Sequence, residues 1–137
     1  MKIKLILPVL FLLFVTSCKK NDDASPATVV GKWSLTKIRS KVTGAMNMDI
    51  TLALSASSYM QFNADGTGVS ASAMDGQPLT TEKFTYKVNG TKITITSEDK
   101  TEVSEGELQT LTSTDLLIYS KEAAGGTTSE TWITGKK

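Results

Sequence analysis

The chain has 137 residues, which is enough for one domain with a single hydrophobic core and too short for two domains of ordinary size. Its 15 basic and 14 acidic side chains nearly balance, so the composition lacks the basic excess that indicates nucleic-acid binding. The absence of histidine and the presence of one cysteine remove the commonest general base and the usual zinc ligands. We therefore expect no metal and no other cofactor.

Residues 1–17 have the pattern of a secretory signal peptide. Lys2 and Lys4 precede an apolar run that extends from residue 5 to residue 15. This run has about half of the ~20 residues that a membrane-spanning helix requires, which favours a signal-peptide core over a transmembrane anchor.

The tetrapeptide Val15-Thr16-Ser17-Cys18 follows this run and resembles the lipobox of bacterial lipoproteins, although leucine is commoner than valine at its first position. The resemblance implies cleavage before Cys18, a diacylglycerol on its sulfur, and a further acyl chain such as palmitate on its amine. Because two or more acyl chains make attachment long-lived, it also implies a membrane-anchored protein. A disulfide within the chain is impossible because Cys18 is the only cysteine.

Residues 18–29 have a polar composition that cannot build a core, so we expect a flexible tether. Lys19, in place of an aspartate after the cysteine, resembles lipoproteins sent to the outer membrane of Gram-negative bacteria. The run Lys20-Asn21-Asp22-Asp23 resembles surface-export tethers, but an ordinary solvated linker fits it equally well. The periplasmic face and the cell surface therefore both stay open.

Residues 30–137 contain eight strand candidates separated by turn signals. In the first, Ile38 breaks the alternation that begins at Trp33, which predicts a β-bulge. The second ends at Phe62, and a helical turn can interrupt it at 55–59.

The clearest local signal is a hairpin, in which apolar alternation on both sides flanks Asn89-Gly90. This pair favours a type I′ turn. The other candidates are a third strand with Val69, Ala71 and Ala73 on one face, and strands within 101–111, 116–119 and 128–134. Short antiparallel strands joined by short turns predict an all-β meander, which either closes as an up-and-down barrel or stacks as a sandwich.

Gly31-Lys32-Trp33, at the start of the first strand, resembles the Gly-x-Trp signature of the lipocalins. The resemblance implies a small eight-stranded antiparallel up-and-down β-barrel over residues 30–137, with Trp33 plugging its closed end. Thr114-Asp115-Leu116 partly matches a second lipocalin signature, Thr-Asp-Tyr, so Asp115 joins Gly31 and Trp33 as a signature residue. An alternative role for Asp115 is to cap backbone amides in a turn. In lipocalins a basic residue near the end of the last strand packs across the tryptophan, and Lys136 or Lys137 stands near that position.

Two functions fit such a barrel. A hollow barrel binds one small, partly apolar ligand, whereas a filled barrel serves as an interaction protein of the envelope or cell surface, through exposed loops such as 46–48 and 76–81. Small residues of the third strand favour a cavity if they face inward, and tyrosine hydroxyls can orient a ligand. The candidate lining residues are Met60, Phe62, Ala71, Ala73, Phe84, Tyr86, Ile93, Ile95 and Tyr119.

Nothing in the sequence favours an enzyme, and we expect a monomer without catalytic residues. No serine lies in a Gly-x-Ser-x-Gly elbow. Glu105 and Glu107 share a strand face and resemble an acid/base pair, but two acids spaced in this way are more often an outward, solvated pair.

Overall fold

The computed structural model describes residues 28–137, which form one antiparallel sheet. Its hydrogen-bonded order is β2-β1-β3-β4-β5-β6-β7-β8-β9, and an additional pairing of β1 with β9 closes it into a barrel. No helix in the described part of the chain is long and apolar enough to cross a membrane. The strands are β1 (Gly31–Thr43), β2 (Met48–Ala53), β3 (Tyr59–Phe62), β4 (Thr67–Ser72), β5 (Thr80–Asn89), β6 (Lys92–Ser97), β7 (Val103–Leu111), β8 (Asp115–Ala124) and β9 (Thr127–Lys136).

Strands β2 and β3 are two halves of one barrel strand. β2 pairs with the second half of β1, and β3 pairs with its first half. The segment 54–58 separates them, and it overlaps residues 55–59, where the sequence allowed a helical turn. The barrel therefore has the eight strands that the sequence predicted.

The bulge predicted in the first strand is present. The register between β1 and β9 shifts between Leu35 and Lys37, so Thr36 is the extra residue. Because a bulge inserts one residue into the alternation, Ile38 lies on the same face as Leu35 although their spacing is odd.

The hairpin between β5 and β6 is also present, but its predicted turn type was wrong. Asn89 pairs with Lys92, so the two loop residues are Gly90 and Thr91. Gly90 has a φ of +62°, and no positive φ occurs at Asn89 or Thr91. A type I′ turn needs positive φ at both loop positions, whereas glycine at the first position alone fits type II′.

The hydrophobic core fills the end of the barrel at which β1 begins, which we call the closed end. Phe62 packs edge-on against Phe84 and Tyr86, with ring centroids 5.5 and 4.9 Å apart. Such aromatic pairs contribute about 0.5–1.5 kcal/mol beyond their burial. The buried residues of this core are Val29, Trp33, Leu35, Met60, Phe62, Phe84, Ile93, Leu108, Leu116 and Ile118.

The opposite end of the barrel, which we call the mouth, carries the connections 44–47, 73–79, 98–102 and 125–126. The inner face is identified by residues that pair with core positions. Trp33 pairs with Met60, Met60 pairs with Ser70, and Ser70 pairs with Glu82. Since directly opposed residues share a face of the sheet, these four side chains form one inner row.

Candidate functional site

A cavity of about 920 Å³ occupies the barrel between the core and the mouth. This volume lies in the range of small-molecule sites. Four of its apolar lining residues also belong to the core, so the apolar side chains form the floor. The apolar lining residues are Met60, Phe84, Ile93, Ile95, Ile118 and Ile133.

Hydroxyl side chains line the wall above this floor. Ile118 pairs with Ile133, and two residues nearer the mouth Ser120 pairs with Thr131. On the neighbouring strands Ile95 of β6 pairs with Ser104 of β7, so an apolar and a hydroxyl-bearing residue lie side by side there. The hydroxyl-bearing lining residues on inner rows are Ser70, Ser97, Ser104, Ser120, Ser129 and Thr131, and Thr81 and Thr101 reach the rim of the cavity. The lining therefore changes from apolar to hydrogen-bonding along the barrel axis.

Carboxylates line part of the mouth. Glu82 pairs with Ser70, and Glu122 pairs with Ser129, which places both on inner rows. Glu102 lies two residues before the inner Ser104 and also lines the cavity. The acidic lining residues are Glu82, Glu98, Asp99, Glu102, Glu105 and Glu122, against which the described lining has one basic residue, Lys83.

The turn between β6 and β7 holds Asp99 rigidly at this rim. Its Oδ1 accepts hydrogen bonds from the Ser97 hydroxyl at 2.6 Å and from the Thr101 hydroxyl and amide at 2.8 and 3.1 Å. These bonds, led by that of Ser97, lower the pKa of Asp99 to about 2. Asp99 is therefore ionised at any physiological pH.

The predicted lining residues fall into two groups. Met60, Phe84, Ile93 and Ile95 line the cavity. Phe62 and Tyr86 lie below it in the closed-end core, where the Tyr86 hydroxyl donates to the carbonyl of Asn63 at 2.7 Å. Burial raises the pKa of Tyr86, and the charge of Asp65 raises it further.

Ala71 and Ala73 are buried without lining the cavity. Ala71 pairs with Tyr59 and with Thr81, one residue out of phase with the inner row through Ser70. At Ala73, the Ser58 hydroxyl accepts from the amide at 3.1 Å and donates to the carbonyl at 3.2 Å. The prediction that Ala71 and Ala73 line the cavity was therefore wrong, because Gly68 and Ser70 hold the inner positions.

Tyr119 lies on the outer surface of the barrel. It pairs with Trp132, which pairs with Arg39, and the Tyr119 and Trp132 rings are 5.2 Å apart. The Tyr119 hydroxyl donates to Glu130 at 2.7 Å, and this bond is the main cause of its raised pKa. Arg39 stacks on Trp132 at 5.0 Å and forms a two-pronged ion pair with Asp49.

The signature residues all lie at the closed end. Trp33 is fully buried, and its Nε1 donates to the carbonyl of Val29 at 2.7 Å. Gly31 has a φ of +125°, and a Cβ there would lie 3.0 Å from the side chain of Lys137. The positive φ favours glycine at position 31, whereas the end of the flexible Lys137 side chain could move aside.

Asp115 has a different partner from the one that turn capping predicts. Its carboxylate accepts from Lys136 at 2.8 Å and from the Thr114 hydroxyl at 2.7 Å, and the Lys136 bond is the main reason for its lowered pKa. The turn amides of Thr114 and Asp115 are capped instead by the hydroxyl of Thr112.

Glu105 and Glu107 lie on outer rows. Glu105 pairs with Thr94, and Glu107 pairs with Lys92, although Glu105 also reaches the rim of the cavity. Residues 28–137 contain no group of three His, Cys, Asp or Glu side chains that could hold a metal ion. Cys18 and the predicted signal peptide lie outside the described residues.

These features define a small antiparallel barrel that has a buried tryptophan at its closed end. Its cavity is open at the mouth and is lined by apolar, hydroxyl and carboxylate side chains. A family model described as a lipocalin-like domain matches residues 29–118, which is more than half of the chain. The chain belongs to this lipocalin-like domain family.

Solved structures resemble the same region. An uncharacterised protein from Bacteroides eggerthii has 14% identity and a TM-score of 0.50, over 79% of this chain and 98% of that one. A lipocalin-like protein from Bacteroides uniformis has 18% identity and a TM-score of 0.49, over 79% of this chain and 97% of that one. At these identities the first likeness supports the fold alone. No curated protein matches the chain.

Proposed function

We propose that this protein binds a small, partly apolar molecule in the cavity of its barrel. The observation that carries the proposal is the cavity of about 920 Å³ with an apolar floor and hydroxyl-bearing walls. Ligand sites have this composition, in which apolar surface supplies affinity and a few polar groups fix orientation. A filled barrel would instead place large side chains at positions now held by Ser70, Ser104 and Ser120.

We further propose that the protein is a lipoprotein anchored through Cys18 to the outer membrane. The support is the lipobox-like tetrapeptide together with the place at which the chain enters the barrel. The Trp33 side chain donates a hydrogen bond to the carbonyl of Val29, which places Val29 at the closed end. A tether that precedes Val29 would therefore join the barrel on the side away from the mouth. Mass spectrometry of the protein from membranes tests the anchor, because Cys18→Ser should abolish the acylated N-terminal peptide.

A second candidate function is contact with a partner protein through the mouth. Met46, Met74 and Leu79 lie in the mouth connections and are 78%, 50% and 44% exposed. Exposed apolar residues at such loops suit a protein interface. Loss of partner capture after Met46→Ser and Met74→Ser, with ligand binding intact, would separate this function from the first.

Displacement of a neutral fluorescent probe, N-phenyl-1-naphthylamine, tests the proposed cavity. Ser104→Trp should fill the space above the floor and abolish probe binding, since Ser104 lies on an inner row. Val103→Trp is the matched control, because Val103 is the preceding residue and is exposed on the outer face. Equal probe binding by both variants would contradict the cavity as the binding site.

A further inference from the structure

We infer that the cavity selects a ligand that carries a positive charge beside its apolar body. This inference rests on the proposed function, since it concerns the charge of the molecule held in the same cavity. It follows from how the barrel distributes charged side chains between its two faces and from an exposed apolar wall at the mouth.

The strands separate charge by face. Glu82, Glu102 and Glu122 lie at inner positions, as their pairing or alternation with Ser70, Ser104 and Ser129 requires. The basic residues of the strands lie on the outer rows instead. These residues are Lys32, Lys37, Arg39, Lys41, Lys83, Lys87, Lys92, Lys121 and Lys136. Although Lys83 reaches the rim, its Nζ lies 3.5 Å from Glu98.

The three inner carboxylates are not neutralised by the described part of the chain. Its ion pairs join Arg39 to Asp49, Lys41 to Glu130, Lys83 to Glu98, and Lys136 to Asp115. None of these pairs includes an inner glutamate. Clefts lined by one sign of charge focus the field and concentrate ligands of the opposite sign.

The mouth has an apolar wall as well as these inner carboxylates. Met48, Ile50 and Leu52 of β2 pair with Val42, Ser40 and Ile38 of β1, and these rows continue to the cavity-lining residues of β9. The three β2 side chains therefore face inward, yet they are 46%, 39% and 38% exposed. Apolar surface left in contact with water gains free energy when an apolar ligand covers it.

The apolar wall and two of the three inner glutamates lie on different sides of the mouth. In the closed strand order β1 and β9 separate β2 from Glu122 on β8, and Glu102, just before β7, lies farther round, whereas β4 alone separates the strand formed by β2 and β3 from Glu82 on β5. A ligand that spans the mouth from β2 towards β7 and β8 therefore meets apolar groups at one end and carboxylates at the other. An amphipathic cation satisfies both walls, whereas a fatty-acid carboxylate meets like charge.

Three competitors with the same decyl chain test the charge preference: decyltrimethylammonium, decanol and decanoate, each displacing N-phenyl-1-naphthylamine from the purified protein at neutral pH. We expect the cation to displace the probe at a concentration ~10-fold or more below that of decanoate, with decanol between them. Added salt should narrow this difference, because these carboxylates are exposed to solvent.

The triple variant Glu82→Gln, Glu102→Gln, Glu122→Gln should remove most of the difference and leave decanol unchanged. Glu107→Gln is the control, since Glu107 lies on an outer row opposite Lys92. Displacement by decanoate as strong as that by the cation would overturn the inference while probe binding upheld the proposed function. Failure of the probe and of all three competitors to bind would overturn the proposed function and the inference together.

Discussion

The ammonium group of Lys137 lies 4.2 Å from the centre of the Trp33 ring and donates a hydrogen bond to the carbonyl of Val30 at 3.0 Å. The amide of Lys137 donates to the carbonyl of Thr114 at 3.0 Å. Lys137 therefore joins the end of the last strand to the tryptophan, to the segment before β1 and to the turn before β8. Of the two lysines that the lipocalin resemblance nominated, Lys137 covers the tryptophan and Lys136 pairs with Asp115.

Trp33→Ala should destabilise the fold by about 3–5 kcal/mol, the usual cost of truncating a core tryptophan. Urea unfolding followed by circular dichroism measures the loss. Trp132→Ala is the control and should cost less, because Trp132 is half-buried on the outer surface. A Trp33→Ala protein that kept full stability and lost only ligand binding would show that Trp33 belongs to the ligand site.

Gly68→Ala should destabilise the barrel by about 1–3 kcal/mol through overpacking. A Cβ at position 68 would overlap the Phe84 ring and would lie 2.7 Å from the carbonyl oxygen of Gln61. The double variant with Phe84→Leu tests the cause, because the two effects should not add if the clash with the ring dominates. Strict additivity of the two unfolding free energies would assign the loss to the Gln61 backbone instead.

Asp99 should make stability depend on pH in the acid range. Its pKa is about 2 in the folded protein and 3.8 ordinarily, so its contribution is fully present above pH ~4 and is lost as the pH falls towards ~2. Urea midpoints of the parent and of Asp99→Asn should therefore differ most near neutral pH and converge as the pH approaches ~2. Asp75→Asn, in another exposed turn at the mouth, controls for the loss of one charge. A constant difference between parent and Asp99→Asn at every pH would contradict this prediction.

Arg39→Lys should loosen β2 without unfolding the barrel. Arg39 Nε and Nη2 bind the two oxygens of Asp49 at 2.9 and 2.6 Å, and β2 pairs with β1 alone among the described strands. Lysine cannot make both bonds, so the amides of β2 should exchange with solvent faster. Because both side chains are about half exposed, the midpoint of global unfolding should hardly move.

Lys41→Gln is the comparison for this experiment, since its ion pair with Glu130 spans 3.9 Å and joins β1 to β9. Exchange in β2 should stay at the parent rate in that variant. Faster exchange throughout the barrel in Arg39→Lys would show that the ion pair supports the whole fold rather than one strand.

The strand pattern and the signature residues predicted the barrel well, because they depend on local alternation and on turn chemistry. The bulge is an example, since the odd spacing of Ile38 from Leu35 can be read directly from the sequence. The hairpin was found in the same way, but its turn type depends on which residues the strands pair, and Asn89 pairs with Lys92.

The cavity was only half predictable, because inner and outer faces cannot be told apart when both carry small residues. In β4 the alternation of Val69, Ala71 and Ala73 favours Ala71 as an inner residue, yet the Phe84 ring occupies the space over Gly68 and thereby fixes the opposite phase. The segment 54–58 then covers the end of the strand, where Ser58 binds both backbone groups of Ala73. These contacts join residues far apart in sequence.

The acidic residues at the mouth were not predicted from the sequence, for a related reason. The apolar residues that mark each strand do not show where its inner face becomes polar. In β8, however, Leu116, Ile118, Ser120 and Glu122 share the inner face and change from apolar to charged towards the mouth. This gradient along one face was the signal available in the sequence.

The meeting of Val30 and Lys137 at the closed end has a practical consequence for handling this protein. Both ends of the described chain lie at the closed end, opposite the loops of the mouth. A tag or a fused reporter at either end would therefore attach away from the cavity. Molecules immobilised through such a tag would present their mouths to the solution in a single orientation, which suits the barrel to use as a surface-coupled sensor.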